Sequence, residues 1–202
     1  YMKDEWNNEC PYDFKNIQFN KLDVFLYTFG GTADDSLAGG CHHNTIMSYT
    51  SGSVLTLNFN TFGTGCYSNT FDNHCANNTF GNGCYYNAFG NNCQSNAFGG
   101  SCWANTFGNA CWSNTFGNSC NSNTFDNHCL NNKFGNSCAN NTFGNNCNYN
   151  TFSYYYISNT FGNNCNYNNF YAGNAVDAGT TKKDYIQYIV LEDGCAKNNF
   201  YS

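Results

Sequence analysis

Three deficits in the sequence limit what this chain of 202 residues can be. It contains no arginine, and its 7 basic residues are all lysine. Because arginine and basic stripes supply most nucleic-acid affinity, we expect no nucleic-acid partner. No apolar run approaches the roughly 20 residues of a membrane-spanning helix, so membrane insertion is not expected. Leucine, isoleucine and valine are nearly absent from residues 58–170, where only Leu130 and Ile157 occur. The core of this segment must therefore consist of phenylalanine and cysteine.

Charge is also scarce in the middle of the chain. The net charge is −6, but Asp72, Asp126 and Lys133 are the only charged residues within 58–170. The acidity therefore belongs to the two ends. No secretory signal segment is visible, and the sequence opens Tyr1-Met2 rather than at an initiator methionine. We expect the chain to be a piece of a longer protein.

The central segment consists of one nine-residue unit, Asn-Thr-Phe-Gly-Asn-x-Cys-x-x, repeated without a break. Phe recurs every nine residues from Phe62 to Phe170, and an Asn lies two residues before each one. A Cys lies four residues after each Phe up to Phe161, except where Tyr156 replaces it. A fixed short period of this kind is typical of a solenoid, in which each unit buries its apolar face only against its neighbours.

The spacing within the unit predicts the local structure. Residues two apart on a strand point the same way, so Asn and Phe share the inward face, and so do Asn and Cys. Inward Asn side chains can bond to one another in ladders along the solenoid and satisfy buried backbone groups. Gly follows Phe in nine of twelve units, with Asp72, Asp126 and Ser153 as the exceptions. This preference predicts a positive φ at that position.

A coil can hold nine residues with two sides, or eighteen with four. The residue before Cys alternates between a small set and a set of mostly larger polar residues. The small set is Gly65, Gly83, Ser101, Ser119 and Ser137, and the other is His74, Asn92, Ala110, His128, Asn146 and Asn164. The alternation favours about eighteen residues per coil. The predicted fold is thus an all-β protein, a single four-sided β-solenoid with β capping segments at both ends.

The sequence predicts three parts. They are an N-terminal cap with a first irregular coil (1–57), the regular solenoid (58–170) and a C-terminal cap (171–202). Strand-like runs at 24–29 and 185–191 are the main candidates for capping strands. Cys41, Asn44 and Ile46 occupy the Cys, Asn and Phe positions of one unit. Ile46 precedes Phe62 by 16 residues rather than 18, which predicts a deletion or a bend between them.

The 14 cysteines suggest a disulfide framework or zinc sites, but their spacing favours neither. Zinc sites need close pairs such as C-x₂-C, and no pair here is closer than nine residues. Stacked cysteines would lie about 4.8 Å apart, but their parallel Cβ vectors disfavour a disulfide. We therefore expect cysteine to act as a small apolar filler.

A four-sided coil with two inward residues per side resembles the pentapeptide-repeat solenoids, shortened from twenty residues to eighteen. Arrays of N-T-F-G-N-x-C that follow a segment like residues 1–17 also resemble uncharacterised proteins of gut bacteria and their phages, some in tail-fibre-like settings. The resemblance covers most of the chain and implies a fold but no catalytic residue. The pentapeptide-repeat family includes DNA-mimicking gyrase inhibitors, which this chain resembles poorly because its repeat faces lack carboxylates.

Asp and His each recur in the repeat and are candidate site residues. A glycosidase needs two carboxylates about 5–9.5 Å apart, whereas Asp72 and Asp126 would lie three coils, or about 14 Å, apart. The repeat-borne His74 and His128 are separated in the same way, so a metal site is not expected and both should be solvated. We interpret both aspartates as substitutes for Gly at a turn. No catalytic residue, metal or cofactor is expected.

Aromatic residues give the candidate ligand-binding positions. The residue after Cys should face outward, which places Tyr67, Tyr85 and Trp103 in one row. Trp112 lies on the opposite side, with Tyr149 and Tyr167 near that side one residue later. Outward aromatics on an uncharged, amide-rich surface can bind sugar rings. The alternatives are that they cover an oligomer interface or pack on the caps, or that they have no role.

These features predict a non-enzymatic rigid rod or receptor-binding module, part of a phage tail fibre or a cell-surface adhesion module that recognises surface polysaccharide. The expected location is the virion tail or the extracellular surface. A structural spacer or homo-oligomerisation module is the first alternative. A carbohydrate-active enzyme and an ice-binding protein follow, the latter because Thr precedes Phe in nine of thirteen units. Strand propensity alone explains such a row.

Overall fold

The computed structural model describes residues 60–154, 158–171 and 189–201, together with three two-residue strands nearer the N-terminus. The described residues contain eighteen strands and no helix. One sheet holds β1 (Gln18–Phe19), β3 (Thr45–Ile46), β5 (Thr70–Phe71), β7 (Ala88–Phe89), β9 (Thr106–Phe107), β11 (Thr124–Phe125), β13 (Thr142–Phe143), β15 (Thr160–Phe161) and β17 (Val190–Leu191). The other holds β2 (Thr28–Phe29), β4 (Thr61–Phe62), β6 (Thr79–Phe80), β8 (Ala97–Phe98), β10 (Thr115–Phe116), β12 (Lys133–Phe134), β14 (Thr151–Phe152), β16 (Asn169–Tyr171) and β18 (Asn199–Tyr201).

The strands pair in parallel with every second strand along the chain, which defines the coil. Phe62 pairs with Phe80, and Phe71 with Phe89, so one turn of the solenoid takes eighteen residues and successive nonamers lie in opposite sheets. The residue after Cys adds two further ladders, in which Tyr67 pairs with Tyr85 and Gln94 with Trp112. Residues 67–121 therefore have four ladders per coil, which confirms the predicted four-sided solenoid there, and the two sheets continue through the later coils.

Two columns of Phe form the core. Within a column, rings one coil apart stack in parallel, as Phe107 and Phe125 do with centroids 4.7 Å apart. Across the core, rings meet edge to face, as Phe98 and Phe107 do at 5.3 Å and 90°. Both arrangements are preferred for aromatic pairs. The Phe rings from Phe62 to Phe170 are at most 4% exposed, which confirms Phe as the core residue.

The inward Asn side chains form the predicted ladders. The Oδ1 of Asn105 accepts hydrogen bonds from the backbone N–H of Asn87 at 3.0 Å and from its Nδ2 at 3.1 Å. The Nδ2 of Asn105 donates to the carbonyl of Cys84 at 3.0 Å and to Oδ1 of Asn123 at 3.1 Å. Each buried amide thus joins successive coils. Its oxygen also accepts the buried backbone N–H of the equivalent Asn in the preceding coil.

The described cysteines confirm the filler role. All twelve are free, eleven are buried and Cys195 is half-buried. The thiols from Cys66 to Cys102 donate to the carbonyl three residues before them, as Cys84 does to Gly81 at 3.2 Å. Those from Cys111 onward donate to the equivalent carbonyl of the preceding coil, as Cys111 does to Gly90 at 3.4 Å. The columns are therefore apolar packing with weakly bonded sulfur.

The prediction of a positive φ after Phe was wrong. None of the described glycines at that position has a positive φ; those that do are Gly65, Gly83 and Gly194. The left-handed residues are the one before Cys and the second one after it, such as Ala110 (φ 55°) and Ser113 (φ 55°).

Close approach between coils explains the glycine after Phe instead. A Cβ on Gly117 would lie 2.7 Å from the backbone nitrogen of Gly100, and one on Gly108 would lie 2.5 Å from Oδ1 of Asn91. That amide oxygen accepts the backbone N–H of Asn109 at 2.7 Å. In the next coil, Asp126 replaces Gly, and its own Oδ1 accepts the N–H of Asn127 at 2.8 Å. The aspartate therefore supplies the bond that an Asn of the preceding coil supplies elsewhere.

Strands from both flanking segments join the two sheets. Ile46 pairs with Phe71, and Phe29 with Phe62, which confirms that Ile46 occupies a Phe position. Ile46 and Phe62 therefore lie in opposite sheets, half a coil apart. Their spacing of 16 residues is an excess over the regular nine, and not a deletion from eighteen. Most of residues 1–57 and 172–188 lie outside the described residues, so the division into caps and array stays a prediction.

Candidate functional site

Tyr67, Tyr85 and Trp103 form one aromatic ladder on the surface. Each follows a buried Cys, which turns its side chain outward, and the three are paired in register. The rings of Tyr67 and Tyr85 are stacked with centroids 4.9 Å apart and planes 3° apart. Those of Tyr85 and Trp103 are stacked at 4.9 Å and 4°. The structure therefore brings the three predicted residues together.

Stacking decides which ring faces a ligand can reach. Tyr85 lies between Tyr67 and Trp103, so its two faces are turned toward other rings. Trp103 is 39% exposed and continues the ladder to Asn121, which carries no ring. Burial, followed by the neighbouring phenols of Tyr67 and Tyr86, raises the pKa of Tyr85 above the ordinary tyrosine value.

Tyr86 belongs to the same surface and was not predicted. Its ring is inclined at 71° to that of Tyr85 and at 67° to that of Trp103, with centroid distances of 5.6 and 4.8 Å. It is 56% exposed, more than any ladder residue. Its φ of 55° turns the side chain out at the corner of the coil. The doublet Tyr85-Tyr86 is the signal in the sequence, but only the corner geometry shows that the second ring leans across the first.

The other three candidates lie on the second side and do not form one surface. Trp112 is 43% exposed, and within the described part of the chain no ring stacks on it. Tyr149 and Tyr167 lie at the corner position one residue later and stack on each other at 5.0 Å. Lys197 donates to the Tyr167 hydroxyl at 2.9 Å and lies 5.2 Å from the centre of its ring. That hydrogen bond raises the pKa of Lys197.

The repeat-borne acidic and histidine residues are separated from one another by three coils. Phe71 and Phe125 belong to β5 and β11, three coils apart, and the Asp and His that follow each Phe are separated in the same way. His74 and His128 are exposed, as expected, with φ of 63° and 60°. Among the described residues, no group of three or more His, Cys, Asp or Glu is placed to hold a metal ion.

No protein-family model, curated protein or solved structure matches this chain. The fold itself defines the class as a β-solenoid repeat protein built from nonapeptides. No helix in the described part of the chain has the length and apolar character needed to cross a membrane.

Proposed function

We propose that this protein is a non-enzymatic rigid rod that binds surface glycans through the aromatic cluster formed by Tyr67, Tyr85, Tyr86 and Trp103. The observation that carries the proposal is the pair of exposed rings, Tyr86 and Trp103, held on a closely packed scaffold. The resemblance of the repeat to tail-fibre-like proteins supports a place on a virion tail or an extracellular surface, as an adhesion or receptor-binding module.

The scaffold supports this role because it fixes the rings. Tyr85 and Trp103 donate backbone N–H bonds to the carbonyls of Cys66 and Cys84, both at 3.1 Å. The Asn and Phe columns beneath hold successive coils in register. Binding to rings that are already ordered loses little conformational entropy, which favours affinity for a weakly interacting ligand such as a sugar.

The chemistry around the cluster also suits a neutral sugar. Asp72 is the only Asp, Glu, Lys or Arg within residues 60–125, so a sugar's hydroxyl groups meet mostly amides and hydroxyls rather than fixed charge. The apolar face of a hexose needs an uncovered ring face, which the ladder interior does not offer. Tyr86 and the outer side of Trp103 are therefore the expected stacking positions.

Glycan-array binding followed by titration calorimetry tests this proposal. We expect Tyr86→Ala and Trp103→Ala each to weaken binding about tenfold, equivalent to about 1.4 kcal/mol. Trp112→Ala is the matched control, because it removes an exposed indole from the other side of the same rod. Tyr85→Ala should also weaken binding, since it removes the ring on which Trp103 and Tyr86 pack.

The opposite results have clear meanings. Equal sensitivity to Trp112→Ala would place the site elsewhere on the rod. Absence of binding to any surface glycan would overturn the glycan proposal and favour a structural spacer or an oligomerisation module.

A further inference from the structure

Among the described residues, three pairs of tyrosines are stacked on each other across neighbouring coils. Tyr149 and Tyr167 have ring centroids 5.0 Å apart and planes 5° apart. Tyr171 and Tyr201 lie at 4.7 Å and 14°. Tyr67 and Tyr85 lie at 4.9 Å and 3°. The parallel register creates the pairs, since side chains at equal positions of successive coils lie one above the other.

Two of these pairs are open to reagents in solution. Tyr149, Tyr167, Tyr171 and Tyr201 are all exposed, whereas Tyr67 and Tyr85 are half-buried. Exposed phenols can deliver an electron to an oxidant at the surface. Their ring carbons already lie within a few ångströms of the partner ring, so coupling to that partner has the advantage of proximity over coupling to a second molecule.

We propose that the stacked tyrosines are sites of dityrosine formation by a one-electron oxidant of the haem-peroxidase class acting with hydrogen peroxide. Each phenol loses one electron to the oxidant together with its phenolic proton, leaving a phenoxyl radical. The two radicals join through one bond between ortho carbons. Each ortho hydrogen then moves to the phenolic oxygen and restores aromaticity. Overall, two electrons and two protons convert one hydrogen peroxide into two waters.

The cross-links would supply covalent bonds between coils, which the described part of the fold lacks. The described cysteines are free thiols, so no disulfide joins one described coil to another. A bond between Tyr149 and Tyr167 would tie successive coils that are otherwise held by hydrogen bonds and packing. A bond between Tyr171 and Tyr201 would tie β16 to β18, the end strand of its sheet. Such bonds restrict the unfolded chain and oppose local opening of the solenoid.

The test is oxidation of the purified protein by a haem peroxidase and hydrogen peroxide across a series of protein dilutions. We expect blue dityrosine fluorescence whose yield per molecule does not change with dilution. Mass spectrometry of proteolytic peptides should find the Tyr149–Tyr167 and Tyr171–Tyr201 pairs joined with the loss of two hydrogen atoms each. A yield that falls in proportion to dilution would show coupling between molecules and overturn the proposal.

Conservative variants make the assignment specific. Tyr149→Phe and Tyr201→Phe keep a ring for stacking but have no phenol to oxidise, so each should abolish its own linked peptide and leave the other. Tyr154→Phe is the matched control, because Tyr154 is exposed but stacks on no described ring; both linked peptides should persist. Two results would contradict the inference. One is a cross-linked peptide that still joins positions 149 and 167 in Tyr149→Phe, and the other is the absence of both links in the unmodified chain.

Discussion

Each regular nonamer places two residues in the left-handed backbone region, and most of them are not glycine. Ser, Asn, His, Ala and Tyr all occur there, with φ between 54° and 63°. A non-glycine residue in this region costs roughly 1–2 kcal/mol, less for Asn. The solenoid therefore carries strain at each corner that a non-glycine residue occupies, and the packing of the coils offsets this strain.

Ala110 tests this strain at a single residue. Ala110→Gly should stabilise the protein by about 1 kcal/mol, because glycine adopts a φ of 55° without steric cost. Ala97→Gly, in strand β8, is the matched control and should destabilise by roughly 0.5–1 kcal/mol. Urea denaturation measures both, and a loss of stability in Ala110→Gly would contradict the strain at this corner.

The buried amides give a second residue-level prediction. Asn105→Ala removes the acceptor for the backbone N–H of Asn87, which is buried, and should cost about 1–3 kcal/mol. Asn109→Ala is the control within the same repeat, since Asn109 is exposed and Asn127 bonds to Asp126 instead. That control should change the free energy of unfolding by less than about 0.5 kcal/mol. Equal effects in thermal melts would disprove the importance of the Asn ladder.

At the level of the repeating element, the sequence predicts which residues of a nonamer point inward, but not which residues of neighbouring coils come into contact. Asn, Phe and Cys were predicted inward because their spacing within a strand decides the face. The glycine after Phe was misinterpreted, because its reason is the distance to Asn91 or Gly100 in the preceding coil. The contact of Tyr86 with Trp103 was missed for the same reason, since contacts between coils depend on three-dimensional register.

The Phe columns give the prediction for an element. Phe107→Ala, with ring contacts on every side, should cost about 3–5 kcal/mol. Phe200→Ala should cost less than half as much, because Phe200 ends its column and is 41% exposed. Melting temperatures of the two variants provide the comparison. An unchanged melting temperature for Phe107→Ala would refute the buried column.

For the whole molecule, the reactivity of the thiols measures whether the coils stay packed on one another. Eleven of the twelve described cysteines are buried, and only Cys195 is partly accessible. With Cys10 and Cys41 outside the described residues, at most three of the 14 thiols should react promptly with Ellman's reagent under native reducing conditions. All should react in guanidinium. Prompt reaction of more than three in the native protein would show that the coils open readily.

The half-coil repeat constrains how such a chain can change its length. Adding or removing eighteen residues lengthens or shortens the solenoid and keeps every side chain on its own side. Adding or removing nine exchanges the two sides for everything that follows. Deleting residues 117–125, for example, would move Tyr149 and Tyr167 to the side that carries Tyr86. A duplication or deletion of one nonamer in the gene therefore rotates all later side chains by half a turn relative to the earlier ones, without altering the core.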